Sequence, residues 1–293
     1  LKEIHAMNIK KIGIIGGDMR QYFLAKSLKK DGNEVKLFGF ENLPNKTEQL
    51  SECSLKELDE FSEYIILPLP VSRDGKTLNA PFSREKIELK NLNDNLKNKK
   101  IFGGIISPEI KDLFGKNSKI YDFCREDFSI LNAVPTAEGA IKEVFENSDK
   151  TIFSSKCLVT GYGKIGKVLC KLLKNMGSDV TASMRSIQDF AWAKTDGIKA
   201  VHTEKLSENP MNFDIIFNTI PSIVFNRKLL EKCHKETLII DLASNPGGID
   251  KTTAIDLGIK TIHSLGIPGK YFSETAAEII KTTIYKIAEE EKL

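Results

Sequence analysis

The chain has 293 residues, 41% of them hydrophobic, and its 43 basic side chains nearly cancel 40 acidic ones to leave a net charge of +3. That length is generous for one ordinary α/β unit and suits two, each with enough apolar residues to bury a core. No basic block points to nucleic acid, and no apolar run approaches the roughly 18 residues of a membrane helix.

Leu1 to Lys11 lacks the apolar core of a signal peptide, and Met7 reads as a natural start because the first strand follows it. The first half then repeats strand and helix. Lys11–Ile15 is a buried strand, turned by Gly16-Gly17-Asp18 into a helix through Leu28. Further strands are read at Val35–Phe38, at Tyr64–Leu67 (ended by Pro68), at Ile101–Ile105 and at Ile120–Asp122. The polar, Lys- and Asn-rich stretch from Asn91 to Lys100 reads as solvated surface. Pro135 precedes Thr136, read as the N-cap of a bridging helix to about Asn147. Glu138 falls in its first turn, where the helix dipole favours a carboxylate.

The second half alternates again. Strands are read at Cys157–Thr160, Asp179–Ala182, Ala200-Val201, Phe213–Asn218, Leu238–Asp241 and Lys260–His263, with helices near 165–176, 186–195 and 226–233. A last helix from Glu274 to about Glu290 carries apolar residues at Ala277, Ile280, Ile284 and Ile287, so it is expected to pack back on the body. Alternation of this kind predicts an α/β protein of two doubly wound parallel-sheet domains with a cleft between them. The predicted division is a flavodoxin-like α/β substrate domain over 1–134, a bridging helix over 135–150, a dinucleotide-binding domain over 151–272 and the C-terminal helix over 273–293.

The strongest motif is Gly161-Tyr162-Gly163-Lys164-Ile165-Gly166, set between a buried strand and an apolar-periodic helix. That context turns a weak GxGxxG match into the fingerprint of a Rossmann domain. The first glycine makes the tight turn, the second lets backbone amides approach a pyrophosphate, and the third lets helix and strand pack closely. The helix N-terminus then faces the phosphate. After the next strand comes Ser183-Met184-Arg185-Ser186, where an NAD enzyme usually holds an acid. An arginine with two hydroxyls suits a 2′-phosphate and favours NADP over NAD; an arginine that only stacks on adenine would be neutral between them. Asn218-Thr219-Ile220-Pro221 and Asp241-Leu242-Ala243 follow two more strands, where the nicotinamide end would reach.

In the first half, Gly16-Gly17 resembles part of a phosphate loop, but Tyr22 and Phe23 stand where a third glycine is needed. This is read as a substrate-facing turn. Arg20 and Arg73 are candidates to bind a carboxylate, the plain alternative being solvated arginines. The five cysteines form no CxxC pair and read as reduced, mostly buried thiols of a cytoplasmic protein. The four histidines are dispersed, so no metal site is expected.

In combination, Ile15-Gly16-Gly17-Asp18-Met19-Arg20-Gln21, Ile66-Leu67-Pro68, Val134-Pro135-Thr136-Ala137-Glu138-Gly139, Asn218-Thr219-Ile220-Pro221-Ser222, Asp241-Leu242-Ala243-Ser244, Pro246-Gly247-Gly248 and Gly266-Ile267-Pro268-Gly269 resemble the A subunit of bacterial dipicolinate synthase. The likeness runs from about Ile9 to the last helix. It implies NADP-dependent oxidation of dihydrodipicolinate to dipicolinate together with a flavoprotein-like B subunit. It also implies a homo-oligomer working in the cytoplasm of the mother cell during sporulation. On that plan Arg20, Arg73 or backbone amides near Ser107 and Thr136 would hold the dicarboxylate, and Glu138 or a water near it would take the proton. The layout is similar to 2-hydroxyacid dehydrogenases, but no histidine follows the last strand as a base; His263 lies at its end. The competing readings are another two-domain amino- or hydroxyacid dehydrogenase, or a non-catalytic nucleotide-binding component of the complex.

Overall fold

The computed structural model describes residues 11–44, 50–116, 118–208 and 211–293; Met7 and the N-terminal segment read above lie outside the described residues. The chain forms two units, one up to Ser129 and again from Phe272 to Leu293, the other from Ile130 to Tyr271.

The first unit is built on β1 (Lys11–Ile15), α1 (Met19–Lys30), β2 (Glu34–Phe38), β3 (Ser51–Glu52), α2 (Leu55–Phe61), β4 (Tyr64–Ile66), α3 (Leu89–Asn95), β5 (Lys100–Gly103), α4 (Pro108–Gly115) and β6 (Lys119–Asp122). All its strand pairs are parallel. The order is β3-β2-β1-β4-β5-β6, the 3-2-1-4-5-6 arrangement of a Rossmann sheet and not the 2-1-3-4-5 order of a flavodoxin. The flavodoxin-like expectation missed β3, a two-residue exposed strand too short to show a pattern.

α5 (Glu126–Asn147) leads into the second unit: β7 (Lys156–Thr160), α6 (Lys164–Asn175), β8 (Asp179–Met184), α7 (Ile187–Thr195), β9 (Lys199–His202), β10 (Ile215–Asn218), α8 (Arg227–Leu230), β11 (Leu238–Asp241), α9 (Lys251–Asp256), β12 (Thr261–His263) and α10 (Ile267–Tyr271). Its order, β12-β11-β10-β7-β8-β9, is again 3-2-1-4-5-6 counted from β7. In both sheets the central strands are buried apolar runs, as parallel strands covered on both faces must be.

α11 (Ser273–Glu290) returns to the first unit. Ala277, Ile280, Ile284 and Ile287 pack into the same cluster as Leu24 and Leu28 of α1 and Ile12 and Ile14 of β1. Ile280 and Ile284 are exposed by 1% or less, each worth roughly 2 kcal/mol of burial. Polar contacts fix the register: Tyr285 donates to Asp31 at 3.0 Å, Lys281 pairs with Asp31 at 3.0 Å, and Arg125 holds Glu290 through two nitrogens.

Two further expectations are corrected. α5 begins at Glu126, with Pro135 inside it. Proline removes one helical donor, but the Thr136 hydroxyl donates to Asn132 O at 2.7 Å, and buried Phe128, Ala133, Ala137 and Ala140 carry the apolar face straight through. The change of unit therefore falls near Ser129, inside the helix. The stretch Asn91 to Lys100 is not solvated throughout: α3 buries Leu89, Leu92 and Asn93, and Lys100 starts β5.

Candidate functional site

The glycine turn of the second unit has a separate steric reason at each position. Gly161 sits at φ +92°, and a Cβ there would lie 2.4 Å from Thr219 Oγ1. At Gly166 a Cβ would lie 2.1 Å from the carbonyl oxygen of Gly161, so only glycine lets α6 start this close to β7. Gly163 differs. It is the N-cap of α6 with no side-chain cap, and a Cβ there would meet nothing within 4 Å. Lys164, Ile165 and Gly166 thus form a first turn that receives no N-cap side chain.

The first unit has the same turn in a closed form. Asp18 is the N-cap of α1, accepts from the Arg20 amide, and shares a capping box with Gln21. Gln21, not Tyr22 or Phe23, takes the place of the third glycine. Arg20 is 7% exposed; it pairs with Asp18 at 2.7 Å and donates to Leu69 O at 2.6 Å. Arg20, expected to bind a carboxylate, spends its Nε and Nη2 on Asp18 and Leu69 O within its own unit. Ser107 caps α4 by accepting from Ile110, with Glu109 in the first turn, so that helix end is also self-supplied. Thr136 lies inside α5, not at an N-terminus, so the anion-binding argument for it lapses. Arg73 is exposed, 3.4 Å from Asn79 Oδ1, and makes no ion pair among the described residues. Glu138 is an exposed residue of α5.

A buried polar chain runs across the strand ends of the second unit. Thr160 donates to Asn218 Oδ1 at 2.6 Å, and Asn218 Nδ2 donates to Asp241 Oδ1 at 2.8 Å and to Ile220 O at 3.0 Å. Asp241 also accepts from the amides of Ala243 at 3.2 Å and Gly248 at 2.8 Å. Asn218 and Asp241 are 0% and 1% exposed. The sequence points them at a cofactor; they instead shape the loops that would touch one. Gly248 is needed because a Cβ there would be 2.1 Å from Asn218 Nδ2. Thr219 donates to Thr160 O at 2.9 Å, Pro221 is exposed, and Leu242 and Ala243 are buried.

β8 runs two residues further than expected, so Ser183 and Met184 are strand residues, 0% and 2% exposed. Ser183 accepts from Thr203 inside the unit and is turned away from solvent. Arg185 and Ser186, both exposed, stand at the strand end, with Ser186 capping α7. On α7, Asp189 pairs with Lys167 at 3.3 Å, and at its C-terminal end Asp196 accepts from Tyr162 at 2.6 Å.

The sequence reading missed Lys251 and the contacts of His263 with Lys251 and Ala243. Burial pushes the thiols of Cys124 and Cys170 up to about 12, and those of Cys157 and Cys233 up to about 11, which disfavours their thiolates. Among the described residues no helix is long and apolar enough to cross a membrane, and no cluster could hold a metal ion.

Two Rossmann-type α/β units of the same strand order, one with its glycine turn capped by a carboxylate and the other with a glycine N-cap, define a protein of the double-Rossmann class. Residues 11–123 match the family model for the N-terminal domain of the dipicolinate synthase A subunit. The A subunit of dipicolinate synthase from Bacillus subtilis (strain 168) is 32% identical over 285 residues, 96% of each chain. The crystal structure of the Bacillus subtilis protein superposes with a TM-score of 0.84 at 31% identity, covering 97% of both chains. That of the A subunit from Bacillus halodurans gives 0.83 at 28% identity, covering 95% of this chain and 97% of the other. The chain belongs to the family of dipicolinate synthase A subunits.

Proposed function

We propose that this chain is the pyridine-nucleotide-dependent subunit of a dipicolinate synthase, oxidising dihydrodipicolinate to pyridine-2,6-dicarboxylate with NADP and a flavoprotein-like B subunit, in the cytoplasm of a sporulating mother cell. The observation that carries the reading is the open N-cap at Gly163, in a chain of this family. The residues fit the coenzyme. Gly161, Gly163, Lys164, Ile165 and Gly166 would hold the diphosphate, and Arg185 with Ser186 the 2′-phosphate. Thr219, Ile220, Pro221, Leu242 and Ala243 would border the redox ring. An exposed arginine and a serine at the end of β8, where an NAD enzyme usually holds an acid, support NADP over NAD.

Bound there, the coenzyme supplies the acceptor for a hydride. The substrate loses that hydride, with two electrons, and one proton, and its ring becomes aromatic. Aromatisation is downhill, so the chain's task is positioning. Arg73 would bind a carboxylate and Glu138 would take the proton through water; both side chains are exposed.

The test mixes purified chain, NADP and dihydrodipicolinate made in place by the preceding synthase, and follows NADPH absorbance. Turnover by the chain alone, or only with the B subunit, supports the reading. NADP binding without turnover in either case makes the chain a nucleotide-binding component of the complex and overturns the reading.

A further inference from the structure

The polar chain at the strand ends of the second unit terminates on a histidine with both ring nitrogens engaged. His263 closes β12 and sits opposite Asp241 in the parallel register. Its Nδ1 is 2.9 Å from Lys251 Nζ, and its Nε2 is 2.8 Å from Ala243 O. A lysine ammonium can only donate. Nδ1 is therefore the acceptor, and Nε2 carries the proton given to the Ala243 carbonyl. In this geometry both ring nitrogens are engaged, Nδ1 as acceptor and Nε2 as donor.

The Ala243 peptide is gripped from both sides. Its N–H donates to Asp241 Oδ1 and its C=O accepts from His263. Gly247, at φ +94°, fills the space behind: a Cβ there would lie 2.6 Å from Asp241 Oδ2 and 3.3 Å from His263 Cε1. This accounts for the first glycine of Pro246-Gly247-Gly248, as Asn218 accounts for the second.

We infer that His263, its tautomer set by Lys251, is a positioning residue for the redox ring: it fixes the Leu242–Gly248 backbone that borders the ring and exchanges no proton with substrate. The inference rests on reading the second unit as the NADP-binding half.

Two variants and two ligands test it. His263→Ala removes the donor; His263→Gln keeps an N–H able to reach the same carbonyl. NADP spans the whole strand end, whereas 2′,5′-ADP lacks the nicotinamide and reports only the glycine turn and Arg185. His263→Ala is expected to weaken NADP about tenfold, with 2′,5′-ADP unchanged and kcat lowered more than the KM for the dicarboxylate changes. Exchange of the Ala243 and Gly248 amides should quicken without any nucleotide present. His263→Gln should restore all of these to within about threefold. Equal behaviour of wild type and His263→Ala in affinity and exchange overturns the inference, and so does failure of glutamine to rescue any part of the loss. Wild-type protein that binds neither ligand overturns the cofactor reading instead, and amide exchange still decides whether His263 fixes the loop.

Discussion

Asp18 and Gly163 hold the same position, the N-cap of the first helix after the first strand, in two sheets of the same strand order. Asp18 places its own carboxylate on the first-turn amides; Gly163 has no side chain to do so. In the proposed function the second turn takes its anion from the coenzyme. Gly163→Asp should therefore close the second turn as Asp18 closes the first. The variant is expected to lose NADP affinity by at least about 100-fold, roughly 2.8 kcal/mol, as the carboxylate competes with and repels the diphosphate. Its folding stability should hold or rise by up to ~1 kcal/mol, because the added atoms enter open space and cap a helix. Calorimetric titration beside a thermal melt reads both. Undiminished binding would remove the turn from the site.

In the proposed function, Arg185 carries the choice between the two coenzymes. It is exposed at the end of β8. Arg185→Asp should lower NADP affinity about ten- to hundredfold, through loss of a charge-assisted contact and gain of repulsion. NAD affinity should change by less than about threefold. A wild-type preference for NAD would refute this assignment whatever the variant does.

The parts of the molecule legible in sequence are those whose causes are local. Buried parallel strands show as short apolar runs, and the 161–166 turn shows because of its three glycines between strand and helix. The start of α5 is not legible because a Pro-Thr pair normally opens a helix, and only the packing of Phe128 and Ala133 carries it through Pro135. Arg20 reads as available because its partner is a matter of rotamer: the guanidinium turns back to an aspartate two residues away. Asn218 and Asp241 read as ligand contacts because a strand-end residue faces loop or core according to the pleat, which one sequence does not show. The role of His263 is hidden because its partners lie 12 and 20 residues away on other elements.

Gly166 gives a prediction with the opposite signature to Gly163. A Cβ at Gly166 would meet the oxygen and carbon of Gly161, both backbone atoms that no rotamer can move. Gly166→Ala should cost about 2–3 kcal/mol in a denaturant titration. Gly163→Ala, with its Cβ in open space, should cost under ~0.5 kcal/mol. Equal costs would mean that α6 does not approach β7 as described.

Glu143 on α5 is the electrostatic anchor of the second unit. It is 3% exposed, and its Oε1 accepts from Ser264 at 2.6 Å, Lys270 at 2.9 Å and Tyr271 at 2.9 Å. Burial alone pushes the carboxyl up, but the hydrogen bonds from Ser264, Lys270 and Tyr271 outweigh it and leave it below its ordinary range. A carboxyl held lower in the folded than in the unfolded chain contributes stability that is fully present above its unfolded value, about 4.3. That contribution drains away as the pH falls through the folded value. Lys270 is half exposed, so solvent discounts its share, and the hydroxyl bonds carry most of the effect. Glu143→Gln is expected to cost about 1–2 kcal/mol at pH 7, seen as a lower unfolding midpoint. The difference from wild type should shrink steadily once the pH drops below about 4. A gap of the same size at pH 3 and pH 7 would show that the carboxylate's charge contributes nothing there, and that shape alone holds the Ser264–Tyr271 segment to α5.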